Sequence, residues 1–332
     1  MADDVIRRIA IADSDASFDV AEGERILAGA LRAGVWVPFE CGWGSCGSCK
    51  MTLVEGKVDS LFAEAPSISP RDARRARFLA CQSAALTDLV VRPTWVESSP
   101  RAGLATERRV AELCARDEIG PDIFRLRFAM DRFVPFFEGQ HAVVDLGGGL
   151  RRCYSMSNLS GSPEVEFVMK RYPGRAGSEA VSALELGEVV HLEMPYGDMW
   201  VRDTEAPVCL VAGGTGIAPI LGMLRRLAGA ADGRPVRVVY GANIRDELVC
   251  WDELAGLVGT LPDADLVGAL TSAHDGWRGV QGLATHAVDP MLGELGGADF
   301  YIAGPPAMTN AVRRLLVDNG IQLDRIHYDS FG

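Results

Sequence analysis

Histidine is scarce. The 332 residues hold five, and none stands in H-x-x-x-H or H-E-x-x-H spacing, which excludes a helical two-histidine metal site. An excess of positive charge is also missing. Thirty-three Lys and Arg stand against 45 Asp and Glu, a formal net charge of −12. An acidic chain repels nucleic acid and anionic lipid, so neither is expected as a main partner. Residues 1–10 contain no long apolar core, so no secretory signal is read there. Residues 206–224 carry no charge. Their four glycines and two prolines are spaced as strand, turn and helix, so no membrane span is expected. Eight cysteines are too few for a disulfide scaffold. Four of them fall within residues 1–98, which points to metal in a reducing cytoplasm. No repeat or low-complexity tract appears. Hydrophobic residues make up 48% and charged residues 23%, the balance of a folded chain, and the length suits two or three domains.

Pattern divides the chain into three. Residues 1–98 alternate like short strands and contain the four clustered cysteines. Residues 97–103, ESSPRAG, have the small residues and breakers of a linker. Residues 104–202 read again as short strands with turn signals, which suggests an antiparallel barrel. Over 206–332 strands alternate with helices, the pattern of a parallel α/β sheet. Net charge runs −2, −3 and −7 over residues 1–95, 104–202 and 203–332, differences too small to carry a functional reading.

Cys41, Cys46 and Cys49 have the spacing C-x4-C-x2-C, and Cys81 follows after 31 intervening residues. This is the plant-type spacing for a [2Fe–2S] cluster. Four thiolates must converge on two irons while backbone N–H groups turn toward the sulfurs, and Gly42, Gly44 and Gly47 permit that wrapping. A zinc site is the alternative, but zinc ligands usually come as two C-x2-C pairs and only one is present. The segment resembles the plant-type ferredoxin domain over nearly its full length. Cys114, Cys209 and Cys250 lie in apolar strands and are read as small core residues, a reading open to Cys153 as well. Arg71, Arg74, Arg75 and Arg77 precede Cys81. Such a run is either a solvated face or a dock for an acidic redox partner.

Arg152-Cys153-Tyr154-Ser155 reads as a strand, with Arg152 and Tyr154 on one face and Cys153 and Ser155 on the other. Arg can hold a phosphate bidentately and Tyr offers a flat ring. Met169 and Lys170 end a later strand. Beyond them Gly177 and Ser178 form a turn before a helical pattern that opens at Glu179, a seat for a pyrophosphate. Taken alone, Arg-x-Tyr-Ser fits any half-buried strand. The order Arg-x-Tyr-Ser, Gly-Ser, then Pro195-Tyr196-Gly197 resembles the FAD barrel of the ferredoxin–NADP reductase superfamily. The resemblance implies that Arg152 binds the flavin pyrophosphate, that Tyr154 packs on the isoalloxazine and that Ser155 approaches N5. It assigns Gly177 and Ser178 to the second phosphate, and includes Cys153, Met169 and Lys170 in the flavin site. FMN is the alternative flavin. The phthalate-type reductases use it, but they place the ferredoxin domain last.

Gly213-Gly214-Thr215-Gly216-Ile217-Ala218-Pro219 joins a strand to a helix. It lacks the third glycine of the Rossmann fingerprint, yet it would bring backbone and helix N-terminus to a phosphate in the same way. It resembles the nucleotide loop of the same superfamily, which implies nicotinamide-dinucleotide contacts at Gly214, Thr215, Gly216, Ala218 and Pro219. Asn243 and Arg245 follow the second strand, where the adenosine ribose would sit. Gly304 and Pro305 follow a later one, near the nicotinamide. Many relatives carry Cys where Ala303 stands, so no thiol role is expected here. Relatives place a C-terminal aromatic, or an acid–aromatic pair, near the flavin. In Tyr328-Asp329-Ser330-Phe331-Gly332 the candidate is Phe331.

Together the modules resemble the reductase components of bacterial multicomponent oxygenases. The implied fold class is a multidomain α+β and α/β chain. It comprises a β-grasp [2Fe–2S] ferredoxin domain (1–98), an antiparallel FAD barrel (104–202) and a parallel α/β NAD(P)-binding domain (206–332). The implied activity takes a hydride from NADH, with NADPH the alternative donor, onto FAD. Single electrons then pass through the cluster to an oxygenase hydroxylase component or an intermediary ferredoxin. A deoxysugar dehydratase is the alternative partner. Catalysis is then a matter of positioning rings, with Tyr154, Ser155 and Phe331 as the candidates.

Overall fold

The computed structural model describes residues 5–39, 42, 44, 46–63, 65, 67–94, 104–147, 150–273 and 276–331. Cys41 and the expected linker at 97–103 lie outside the described residues.

The first module begins with the antiparallel pair β1 (Ile6–Ile11) and β2 (Ser17–Ala21). Ile9 and Ile11 point inward while Arg8 is exposed, the alternation of a one-sided sheet. Helix α1 (Ile26–Arg32) follows, with six of its seven residues buried. Then come β3 (Lys50–Glu55), β4 (Val58–Ser60), α2 (Pro70–Arg74), β5 (Arg77–Leu79), β6 (Ser83–Ala85) and β7 (Leu89–Arg92). The main sheet has the order β2-β1-β7-β3-β5, with β1 and β7 parallel, and β4 pairs with β6 apart from it. A five-stranded mixed sheet over one buried helix is the β-grasp arrangement expected of residues 1–98.

The second module contains β8 (Glu107–Gly120), β9 (Ile123–Met130), β10 (His141–Asp145), β11 (Arg151–Ser155), β12 (Glu164–Lys170), α3 (Ala176–Ser182) and β13 (Val189–Tyr196). The order is β11-β10-β13-β8-β9-β12, antiparallel throughout. An antiparallel bridge between Met156 and Phe167 joins the two outer strands and closes the barrel. Inward residues such as Leu113, Leu126, Phe128 and Phe167 fill the interior. Cys114, expected in the core, sits instead on the exposed outer face of β8, because Leu113 takes the inward position next to it.

The third module runs β14 (Val208–Gly213), α4 (Ile217–Gly229), β15 (Val236–Ala242), α5 (Trp251–Val258), β16 (Ala264–Leu270), β17 (Val280–Gln281), α6 (Ala284–Val288), β18 (Asp299–Gly304), α7 (Pro306–Asp318) and β19 (Ile326–Ser330). All its strand pairs are parallel, in the order β17-β16-β15-β14-β18-β19. Every residue of β14 is buried, as a central strand covered on both faces requires. The uncharged stretch at 206–224 is therefore β14, its turn and the buried start of α4. Among the described residues no helix is long and apolar enough to cross a membrane. The chain builds outward from β14 to β17, then returns to β18 on the other side. The carboxyl ends of β14 and β18 thus flank a topological switch point, where open α/β sheets bind ligands.

Two seams hold the modules together. Val143, Tyr196 and Trp200 of the barrel module belong to the same buried cluster as the β-grasp core. Beside them Glu193 is shared by Arg25 of the first module, at 4.0 Å, by Arg151 and by the Tyr196 hydroxyl. Removing Glu193 would leave the buried Arg151 to Asp145 alone, at 3.9 Å, and take a carboxylate from the half-buried Arg25, a loss of about 3 kcal/mol. On the other side, Arg125 meets Glu253 at 2.8 Å, Arg225 meets Glu166 at 3.0 Å and Lys170 meets Glu247 at 2.6 Å.

Candidate active site

Gly42, Gly44 and Gly47 have φ of +68°, +102° and +77°, left-handed values that a side chain rarely tolerates. They curl the cysteine loop so that Cys49 and Cys81 bring their Sγ atoms within 3.2 Å, close enough to serve one iron. Cys81 reaches the loop from the turn after β5, and both thiols are buried. Cys46 is exposed, and the Ser48 backbone N–H donates to its Sγ at 3.4 Å. Such a donor stabilises a charged sulfur ligand. The soft donor set fits an iron–sulfur cluster, with Cys41 outside the described residues.

A cavity of about 610 Å³ opens between the barrel and the parallel sheet. Arg152, Cys153, Tyr154 and Ser155 line it from β11, Met169 and Lys170 from β12, and Ser178 from α3. Thr215 and Ala218 line it from the nucleotide loop, and Phe331 from the C-terminus. Ten residues singled out by sequence thus face one space, although they come from five parts of the chain. Tyr154 packs toward Phe167 with ring centroids 6.1 Å apart. Burial pushes its phenol well above the usual tyrosine range, so the hydroxyl stays protonated. The Phe331 backbone N–H donates to the Gly304 carbonyl at 3.0 Å, which ties the last residues to the end of β18. An aromatic, partly apolar cavity with Arg152 and Arg175 on its wall suits a flavin carrying phosphates.

Gly177, Gly216, Asn243 and Arg245 do not line the cavity. Gly177 and Ser178 are not a turn ahead of a helix. Helix α3 starts at Ala176, because the Glu179 N–H already donates to the Arg175 carbonyl at 3.0 Å. The Arg152 guanidinium lies directly against Gly177, where a Cβ would collide with it. Ser178 closes the preceding loop through Tyr172 and Arg175. Gly216 packs so closely on the Ala303 carbonyl that no side chain fits, which brings the loops after β14 and β18 together at the switch point. Gly214 and Pro305 in those loops, Gly304 at the end of β18 and Pro219 in the first turn of α4 do not line the cavity. Asn243 and Arg245 follow β15 outside it. The Asn243 N–H donates to Glu247 at 3.2 Å, and Arg245 lies over the Trp251 ring at 5.4 Å.

Sequence reasoning missed His141 and left Asp329 unassigned. His141 is 3% exposed, stacks on Tyr196 and holds Nδ1 3.7 Å from an Asp329 carboxylate oxygen. The Ser155 hydroxyl donates to that same oxygen at 3.4 Å. Both His141 and Asp329 line the cavity. Behind the wall lies Gly42 of the cysteine loop, whose Cβ position falls 4.0 Å from His141 Nε2. No local signal marks His141, since it stands at the head of an ordinary barrel strand. Asp329 carried one signal, its place beside the terminal aromatic.

Comparison with known proteins matches this geometry domain by domain. Residues 9–86 match the 2Fe-2S iron-sulfur cluster binding domain, 110–200 the oxidoreductase FAD-binding domain and 210–314 the oxidoreductase NAD-binding domain. The FAD-binding match decides against FMN. The chain is 34% identical to the ferredoxin–NAD(+) reductase component of the alkene monooxygenase system of Xanthobacter autotrophicus, over 95% of this chain and 98% of that protein. It is also 34% identical to the reductase component of phenol 2-monooxygenase from a Pseudomonas species, over 88% and 85%. Among solved structures, the ferredoxin reductase in carbazole 1,9a-dioxygenase superposes with a TM-score of 0.87 at 28% identity, covering 99% of each chain. With an iron–sulfur loop, a flavin cavity and a nicotinamide switch point in sequence, the chain belongs to the oxidoreductases that form the ferredoxin–NAD(P)+ reductase components of mono- and dioxygenase systems, using a [2Fe–2S] cluster, FAD and NADH.

Proposed function

We propose that this chain draws reducing equivalents from NADH and delivers them one at a time, through the cysteine loop, to the hydroxylase component of an oxygenase or to an intermediary ferredoxin in the cytoplasm. When bound, the nicotinamide supplies a hydride, the flavin divides its electron pair and the cluster carries single electrons. Everything else is positioning by side chains. Arg152 and the first turn of α3, with Gly177 and Ser178, hold the flavin phosphates. Tyr154 presents a ring and a protonated hydroxyl to the flavin. Ser155, oriented by Asp329, presents a hydroxyl to the reacting edge, and Phe331 covers that edge. Gly214, Thr215 and Gly216 bring backbone N–H groups to the dinucleotide, with Ala218 and Pro219 in the first turn of α4. Gly304 and Pro305 border the nicotinamide, and Asn243 and Arg245 the adenosine ribose.

One observation carries this reading. The flavin cavity touches both neighbours, with Thr215 and Ala218 on its nucleotide side and His141 between it and Gly42 of the cysteine loop. Anaerobic mixing with NADH should therefore bleach the yellow-brown absorbance in two phases, flavin first and cluster second. A colourless protein that takes up neither flavin nor iron–sulfur cluster, or reduction that stops at the flavin, would overturn it.

Donor preference follows from the loop after β15. The Glu247 carboxylate accepts from the Asn243 N–H while pairing with Lys170, so the loop offers a 2′-phosphate one cation, Arg245, and that guanidinium lies over Trp251. NADH should exceed NADPH in kcat/KM by at least about tenfold. Equal values for the two donors would show that Arg245 suffices to hold a 2′-phosphate.

A further inference from the structure

The cysteine loop has two sides. Gly42 faces the flavin module, where its Cβ position lies 3.6 Å from Val143 and 3.9 Å from Tyr196. Gly44 and Gly47 face the other way. The Gly44 Cβ position is 3.5 Å from Phe62 and 3.6 Å from Ala65, and that of Gly47 is 3.2 Å from Ser67. Ser67 fastens this outer segment by donating from its hydroxyl to the Gly44 carbonyl at 2.6 Å. Helix α2 begins three residues later. Its Ser69–Asp72 capping box fixes the start, and Lys50 beside Gly47 reaches Asp72 at 3.1 Å. The helix is thereby clamped to the loop that carries Cys46.

What this outer side exposes does not fit a solvated face alone. Leu61 and Phe62 are 37% and 36% exposed, and Phe62 borders Gly44, two positions from the exposed Cys46. Arg71, Arg74 and Arg75 are exposed as well. Arg77 is held by Asp72, but the other three make no ion pair among the described residues, in a chain of net charge −12. Three unneutralised cations and two partly exposed apolar side chains therefore stand on the side of the loop that faces away from the flavin.

We propose that this outer side, with Leu61 and Phe62 beside the cysteine loop and Arg71, Arg74 and Arg75 on and just after α2, docks the electron-accepting protein through an acidic face on that partner. The arginines steer and orient the encounter, and the apolar pair excludes water between the two redox groups. This rests on the relay described above, in which the cluster is the exit. The test uses the full-length holoprotein, the Arg71→Glu, Arg74→Glu, Arg75→Glu triple variant and the corresponding triple glutamine variant. Each is given NADH and one of two protein acceptors, an acidic plant-type ferredoxin or the basic cytochrome c. Charge reversal should lower kcat/KM for the ferredoxin by about tenfold and raise it for cytochrome c, with the glutamine variant between. Raising salt from roughly 20 to 300 mM should shrink the differences. The rate at which NADH bleaches the flavin should not change. If the parent protein reduces both acceptors but charge reversal leaves both unchanged, or lowers both together, the docking surface is overturned and the relay stands. If the parent protein reduces its flavin but neither acceptor, relay and dock fall together.

Discussion

Replacing Cys46 with serine should lower NADH-driven reduction of cytochrome c by at least about a hundredfold, because an alkoxyl oxygen is a poor substitute for a thiolate on iron. Reduction of ferricyanide, which takes electrons from the flavin directly, should stay within about twofold. The asymmetry follows from position. Cys46 is exposed on the cysteine loop and does not line the flavin cavity, so its loss leaves Arg152, Tyr154 and Ser155 in place. The visible spectrum of the variant should keep its flavin bands and lose the cluster absorbance. Equal loss of both activities would place the cluster before the flavin and contradict the proposed order.

The second large effect is expected at Arg152. Its guanidinium rests on Gly177 in the first turn of α3, and its Nη1 donates to the Arg151 carbonyl at 2.7 Å, so the group is already oriented toward the cavity. Two charge-assisted hydrogen bonds to a phosphate are worth roughly 3 kcal/mol together. Arg152→Ala should then weaken FAD binding by about a hundredfold. Flavin content after desalting and a fluorescence titration with FAD would measure this. Arg152→Lys should recover only part of the affinity, since an ammonium is a point charge without the planar fork. Cluster absorbance should survive in both variants. A fully flavinated alanine variant would show that the phosphates are held elsewhere.

Much of this was legible along the chain because the chemistry is local. Three cysteines in nine residues, the glycine-rich strand-to-helix turn and Arg-x-Tyr-Ser each carry their meaning within one loop or strand. The barrel and parallel-sheet patterns followed from strand alternation and from strands interleaved with helices, and the β-grasp from the resemblance of the cysteine segment to a plant-type ferredoxin. Where local reading failed, a neighbour decided. Gly177 looks like a turn residue, yet it lies inside a helix as the floor beneath Arg152. Lys170 lines the cavity as the flavin-site reading expects, but its ion pair with Glu247 from another module had no signal in the chain.

Three cofactor modules and their order were determined by the sequence alone, since short-range backbone geometry and side-chain chemistry specify them. The wall between the two redox sites was decided only in three dimensions. Ser155 and Asp329 are 174 residues apart, and His141 meets both because β10 pairs with β11 while β19 runs beside β18. The two sides of the cysteine loop likewise became distinct only when the barrel covered one of them. Such contacts depend on how whole sheets pack, and no periodicity in the chain encodes which distant residue a folded surface will bring to a given side chain.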